Sequence, residues 1–388
     1  MSPAEPVTGL ILSGGGARAA YQVGVLAAIA ELLPAGASNP FPVIVGTSAG
    51  AINAVSLASG ALDFTAAIER LTAFWQGFRS HQVIRSDWPG VIRQASRFVG
   101  HSLLGLGAQV PVALLNSSPL RHLLNEKLQL SGIRQSIAQK HLKAVAVTAF
   151  GYESGQAVTF YQGGGTIDAW LRHRRIGLPT ELTVEHLLAS SAIPLLFAPV
   201  KIDQQFFGDG AVRQSAPISP ALHLGASRVL VVGVSGNPRG VDPQAPLQRT
   251  YTGQQPTLAQ IGGHMLNSTF IDSLESDIEL LQRLNQFSHL LPPDTPVRTL
   301  GVAPVEVLVI APSQPIDEIA ARHRHELPAA LRLFLRGPGA TKTSGAGVLS
   351  YLLFEAGYCS ELIELGRSDA LAKRDELCRF LGLTAASV

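Results

Sequence analysis

The chain has 388 residues, 46% of them hydrophobic and only 15% charged, and its 30 basic and 28 acidic side chains leave a net charge of +2. Globular proteins carry about 25% charged residues on average, so this chain is poor in charge rather than unusually rich in large apolar groups. That excludes intrinsic disorder, which needs low hydrophobicity with high net charge, and gives no electrostatic argument for a nucleic-acid partner.

The N-terminal run MSPAEPVTGLILSGGG has no positively charged n-region and predicts no secretory signal. Val7–Leu12 predicts a buried strand ending in Ser13-Gly14-Gly15-Gly16, and Ala17–Leu33, closed by Pro34, predicts a helix. Phe41–Val45 predicts a second short strand, followed at once by Gly46-Thr47-Ser48-Ala49-Gly50 and an Ala-rich helix to about Ser59. Strand, glycine turn and helix, twice in succession, mark a parallel α/β sheet. Residues 32–62 and 98–120 contain no Asp, Glu, Lys or Arg. Prolines and glycines interrupt both stretches, whereas a spanning helix needs about 20 consecutive, mostly apolar residues. They predict buried elements rather than membrane spans.

Val91–Leu124 is apolar and punctuated by glycine, and predicts a mobile cap over Ser48. Further strands are expected at Ala144–Ala149, Leu196–Ile202, Arg228–Val234 and Val305–Ile310. Thr183 caps an expected helix that carries His186–Leu188 and ends near Ser191, before Pro194. Arg172-His173-Arg174-Arg175 is the densest basic run and reads as a solvated loop, with anionic headgroups as its alternative partner. Residues 236–257 predict a loop, Leu258–Phe287 a long amphipathic helix, and the tail helices separated by Gly337–Gly347. His323-Arg324-His325-Glu326 sets its histidines two apart, on different helix faces, so no metal site is expected. Gly337–Thr343 is not a phosphate loop, which would need glycine at the positions held by Arg336 and Thr341. Cys359 and Cys378 are the only cysteines, which implies no disulfide framework and a reducing cytoplasm.

Gly46-Thr47-Ser48-Ala49-Gly50 is a G-x-S-x-G between a strand and a helix, the context that a nucleophile elbow requires. Gly46 and Gly50 permit the sharp turn, and the Ser48 hydroxyl stands at a helix N-terminus, where developing negative charge is favoured. Gly14-x-Gly16-x-x-Ala19 also fits a dinucleotide fingerprint, but that reading needs an acidic residue about 20 positions on. None occurs between Glu31 and Asp63. The remaining use of exposed glycine N–H groups is an oxyanion hole, with Arg18 placed to add charge.

Gly208-Asp209-Gly210-Ala211 is by itself only a hairpin signal. Together with Gly14-Gly15-Gly16-Ala17-Arg18, the Ser48 elbow and Ala189-Ser190-Ser191-Ala192-Ile193-Pro194, it resembles the patatin-like phospholipase family over about residues 7–222. The resemblance implies a three-layer α/β/α fold with a mostly parallel sheet, with residues 7–222 as catalytic domain. Residues 223–388 would continue the core and add a helical C-terminal region. It further implies Ser48 as nucleophile and Asp209 as its base, a dyad without histidine. Gly14, Gly15 and Gly16 would form the oxyanion hole with Arg18 assisting, and Gly208, Gly210 and Ala211 would shape the dyad turn. Ala19 stands where the family's motif usually ends in glycine.

The implied substrate is a fatty acyl ester of lipid, cleaved without metal or organic cofactor. The enzyme would sit in the cytoplasm, with transient peripheral contact at the inner membrane face. A thioesterase or acyltransferase with the same dyad is the alternative within catalysis, and a silent lipid-binding regulator the alternative outside it. On chemistry alone a Ser-His-Asp triad stays open, because His223, His264 and His289 follow Asp209 in the chain.

Overall fold

A computed structural model describes residues 6–34, 36–83, 113, 115–165, 167–235, 255–290, 304–336 and 346–383. Most of the expected cap (84–112 and 114), residues 236–254 of the expected loop and 337–345 of the glycine run lie outside the described residues.

Among the described residues ten strands form one sheet in the order β10-β9-β1-β2-β3-β4-β6-β5, with β8 pairing β3 and β7 pairing β8. The parallel half is β1 (Thr8–Leu12), β2 (Val43–Thr47), β3 (Ala144–Gly151), β9 (Arg228–Val232) and β10 (Glu306–Ile310). The other half is β4 (Gln156–Gly163), β5 (Trp170–Arg172), β6 (Arg175–Pro179), β7 (Val200–Ile202) and β8 (Gln205–Asp209), joined mainly by antiparallel pairs. Every residue of β1 and β2 is buried. Leu10, Leu12 and Ile44 face one helical layer, and Ile11, Val43 and Val45 face the other. Burial on both faces is why these strands read as continuous apolar runs without alternation. The first layer contains α1 (Ala20–Leu32), α2 (Ala49–Ser59) and α3 (Phe64–Gln76). The second takes Ala221 of the short Ser219–His223 helix and Leu274, Ile278 and Leu281 of the Ser273–Leu290 helix. The result is the expected α/β/α arrangement, with helices after β10.

Several boundaries differ from the sequence reading for local reasons. The Phe41–Val45 strand is displaced to Val43–Thr47: proline lacks an amide donor, so Pro42 stands before the ladder and offers its carbonyl to Lys143 at 2.7 Å. The first helix begins only at Ala20, after a 3₁₀ turn over Gly16–Ala19. Of Leu196–Ile202 only Val200–Ile202 is strand, because the amides of Leu196 and Phe197 turn back to the Ile193 carbonyl. The helix expected over Leu258–Phe287 is two, Leu258–Asn267 and Ser273–Leu290, separated by a π turn at Ser268–Asp272. No described helix is long and apolar enough to cross a membrane.

Candidate active site

The loop after β1 and the turn after β2 meet at the C-terminal edge of the parallel strands, the edge where open α/β sheets place their ligands. Ser48 sits between β2 and α2 at φ 56° and ψ −131°, a left-handed φ rarely adopted by residues other than glycine. The flanking glycines let the turn close. A side chain at Gly46 would collide with the backbone of Gly50 and Ala51, and one at Gly50 with the Leu12 and Ser13 carbonyls. Gly50 therefore brings α2 directly onto the end of β1 and the glycine loop. A Cβ at Gly14 would come within 3.0 Å of the Ser48 Cβ and 2.7 Å of the Phe270 ring. Phe270 lies in the π turn, so the break in the long helix is what seats its ring on the glycine loop. Gly16 adopts φ 56° and lies against the Tyr351 carbonyl. Among the described residues the amides of Gly14, Gly15 and Gly16 donate to no backbone carbonyl.

Asp209 arrives from the other direction. It ends β8, antiparallel to β3 and opposite Ala149, with its amide on the Ala192 carbonyl at 2.9 Å. Its side chain is fully buried; Oδ1 accepts the Ala211 amide at 3.0 Å, and Oδ2 has no partner within hydrogen-bonding geometry. Burial pushes the carboxyl up to about 7, while the nearby Ser48 hydroxyl and the Ala211 amide favour its charged form. Ser48 and Asp209, 161 positions apart in sequence (209 minus 48), are thus neighbours. Gly210 admits the turn because a Cβ there would strike the Thr148 carbonyl. Gly208 lies under Tyr152, whose hydroxyl is raised by burial and by the Asp209 charge.

Residues without a role in the sequence reading hold this geometry. The Ser190 hydroxyl accepts the Ser48 amide at 2.8 Å and donates to the Thr148 carbonyl at 2.7 Å. Thr47 donates to Gln214 at 2.7 Å, and Gln214 reaches Thr148 at 3.4 Å. On the other side, Trp75 donates to Asn53 at 2.7 Å, Asn53 to Gln22 at 2.9 Å, and Gln22 to the Ser13 carbonyl at 2.8 Å, next to the glycine loop. Gln22 and Asn53 are fully buried. Their sequence signal was a lone amide in an otherwise apolar helix, since such groups are buried only when hydrogen-bonded.

Arg18 packs among Asp317, Ser350 and Tyr351. Its guanidinium is 2% exposed, pairs with Asp317 at 2.5 Å, donates Nε–H to Ser350 at 2.8 Å and lies 4.1 Å over the Tyr351 ring. The charge of Arg18 is thus matched by Asp317. The histidines after Asp209 also have other surroundings. His223 stacks on Trp170 at 4.8 Å, and His264 is exposed on the Leu258–Asn267 helix. The side chain of His289 lies outside the described residues. Among the described residues no group of three His, Cys, Asp or Glu is arranged to hold a metal ion.

A narrow cavity of about 30 Å³ opens beside Ser48, lined mainly by apolar side chains including Ile52, Leu188, Ile193, Phe197 and Leu352.

The profile of the patatin-like phospholipase family matches residues 10–222. Among solved structures, human GIVD cytosolic phospholipase A2 bound to methyl gamma-linolenyl fluorophosphonate is 15% identical, covering 97% of this chain and 58% of its own, with a TM-score of 0.45. VipD from Legionella pneumophila is 12% identical over 96% of this chain and 67% of its own, with a TM-score of 0.39. ExoU of Pseudomonas aeruginosa, solved with SpcU, is 20% identical over 40% of this chain and 34% of its own, with a TM-score of 0.21. The chain thus spans just over half of the human enzyme's length and a third of ExoU's. A comparison with curated proteins gives no match. With that profile covering more than half of the 388 residues, the chain belongs to the patatin-like phospholipase family.

Proposed function

We propose that the protein is a serine lipid acyl hydrolase acting through an acyl-enzyme on Ser48, with Asp209 as base. The observation that carries the reading is the Asp209 carboxyl: buried, fixed through one oxygen by the Ala211 amide, and with the other oxygen unpartnered beside Ser48. An ordinary aspartate is too weak a base for a serine hydroxyl, and one raised to about 7 is far better matched. Ser48 Oγ attacks the ester carbonyl carbon as its proton passes to Asp209. The tetrahedral oxyanion is held by the free amides of Gly14, Gly15 and Gly16, reinforced by the N-terminus of α2. Collapse breaks the bond to the alcohol, which takes the proton from Asp209. Water, deprotonated by Asp209, then attacks the acyl-enzyme; the acid leaves and the proton returns to Ser48.

The apolar lining beside Ser48 supports an acyl chain as the bound portion. Residues 7–222 would form the catalytic domain, and the rim of the site would make transient contact with a lipid surface.

The test is labelling by a fluorophosphonate, followed by mass analysis of products from a defined mixed-acyl phospholipid. Wild type should be labelled and release free fatty acid, and Ser48→Ala should do neither. Labelling that persists in Ser48→Ala, or a labelled wild type that releases no acid, would sink the proposal.

A further inference from the structure

We infer that Asp317, outside the region matched by the family profile, is a positioning residue for the reaction at Ser48: through Arg18 it holds the glycine loop in its working conformation. This rests on the hydrolase reading above and deepens it.

Arg18 follows the glycines by two residues, and its own amide donates to the Gly15 carbonyl at 3.1 Å. Where Arg18 goes, the peptide planes of the loop follow. The guanidinium is almost fully buried, and a buried charge persists only when paired and hydrogen-bonded. Its partners come from two helices far along the chain. Asp317, on the Ile316–His323 helix, supplies the opposite charge. Ser350, on the Ala346–Leu352 helix, accepts from Nε and shares its own proton between Asp317 Oδ1 at 3.1 Å and the Gly347 carbonyl at 2.6 Å. The neighbouring Tyr351 presents its ring face to Arg18 and its carbonyl to Gly16. The oxyanion loop is therefore clamped from outside by the C-terminal helices. Removing the Asp317 charge leaves Arg18 buried without its carboxylate, and the loop must shift to rehydrate it. A shift of about 1 Å at reacting groups costs on the order of 10²-fold in rate.

The experiment compares wild type, Asp317→Asn, Asp317→Glu and Ser350→Ala on a soluble p-nitrophenyl ester. Active sites are counted by fluorophosphonate titration and folding is checked by thermal melting. For Asp317→Asn, kcat per titrated site should fall about 10–100-fold with KM little changed, and Asp317→Glu should restore most of the loss. Ser350→Ala, which keeps the ion pair, should lose about three- to tenfold. An Asp317→Asn enzyme that turns over like wild type per titrated site overturns the inference, even if fewer sites survive. If Asp317→Asn fails to fold, unchanged turnover in Ser350→Ala overturns it instead. A wild type that neither labels nor turns over defeats the hydrolase reading itself, and this inference with it.

Discussion

The Ser190 hydroxyl is the bridge between Ser48 and β3: it takes the Ser48 amide at 2.8 Å and gives its proton to the Thr148 carbonyl at 2.7 Å. Ser48 needs such a restraint, because a non-glycine residue in a sparsely populated backbone region stores about 1–3 kcal/mol that its surroundings must overcome. Ser190→Ala leaves a buried donor and a buried acceptor unsatisfied, at a cost of about 1–3 kcal/mol. We expect a lowered denaturation midpoint and a kcat reduced by at least tenfold, with fluorophosphonate labelling slowed in parallel. Labelling at the wild-type rate would show that the strained turn holds without the bridge.

Asp209 links activity and stability to pH in opposite directions. Its folded-state pKa of about 7 lies above the ordinary carboxylate value, so between roughly pH 4 and 7 the folded state binds more protons than the unfolded one. Its contribution to stability is fully present below the unfolded pKa and is lost as pH rises through 7. The proposed mechanism needs the ionised form, so kcat/KM should rise through an apparent pKa near 7. Asp209→Asn should abolish turnover and flatten this loss of stability, with a gain at pH 8 of up to about 4 kcal/mol. Denaturant titrations at pH 5 and pH 8 for both proteins check the sign.

The glycines of the loop are not equally replaceable. Gly16 has a left-handed φ and faces the Tyr351 backbone carbonyl, which has no room to give. Gly14 faces the Phe270 ring and the Ser48 Cβ, side chains rather than backbone. Gly16→Ala should therefore cost more stability than Gly14→Ala, by about 1–2 kcal/mol. Phe270→Leu should recover part of the Gly14→Ala loss and none of the Gly16→Ala loss, as read from a double-mutant cycle.

Leu195 is 71% exposed and adopts φ 67°, both unfavourable for a leucine in water. It projects from the turn between Ile193 and Phe197, two residues that line the cavity beside Ser48. Contact with a lipid surface would bury this side chain. Leu195→Gly should stabilise the protein by about 1 kcal/mol, since glycine carries no penalty at positive φ. It should weaken binding to phospholipid vesicles about tenfold while sparing hydrolysis of a soluble ester. Equal vesicle binding by the two proteins would show that Leu195 makes no contact with lipid.

The elements legible in the sequence were those whose signal is local. The strand runs ending at Leu12 and near Gly46 are buried on both faces, so their composition alone marks them, and the glycine turns after them need residues without a Cβ. The π turn at Ser268–Asp272 was not legible, because its amphipathic pattern continues across it and only the approach of Phe270 to Gly14 gives the break a purpose. Ser190 stood inside a conspicuous block yet had no assignable role. Its two hydrogen bonds go to residues 142 and 42 positions away.

The same division separates Ser48 from Arg18. The sequence by itself determined where the chain turns sharply and which hydroxyl stands on the turn, because steric exclusion at Gly46 and Gly50 acts between near neighbours. Only the tertiary structure decided what a charged side chain beside those turns would face. Arg18 lies two residues from the glycine loop, but its charge is matched by Asp317, 299 positions further on. The choice of partner for a buried charge is made by desolvation and Coulomb attraction in the folded interior, and those act on distance in space, not along the chain.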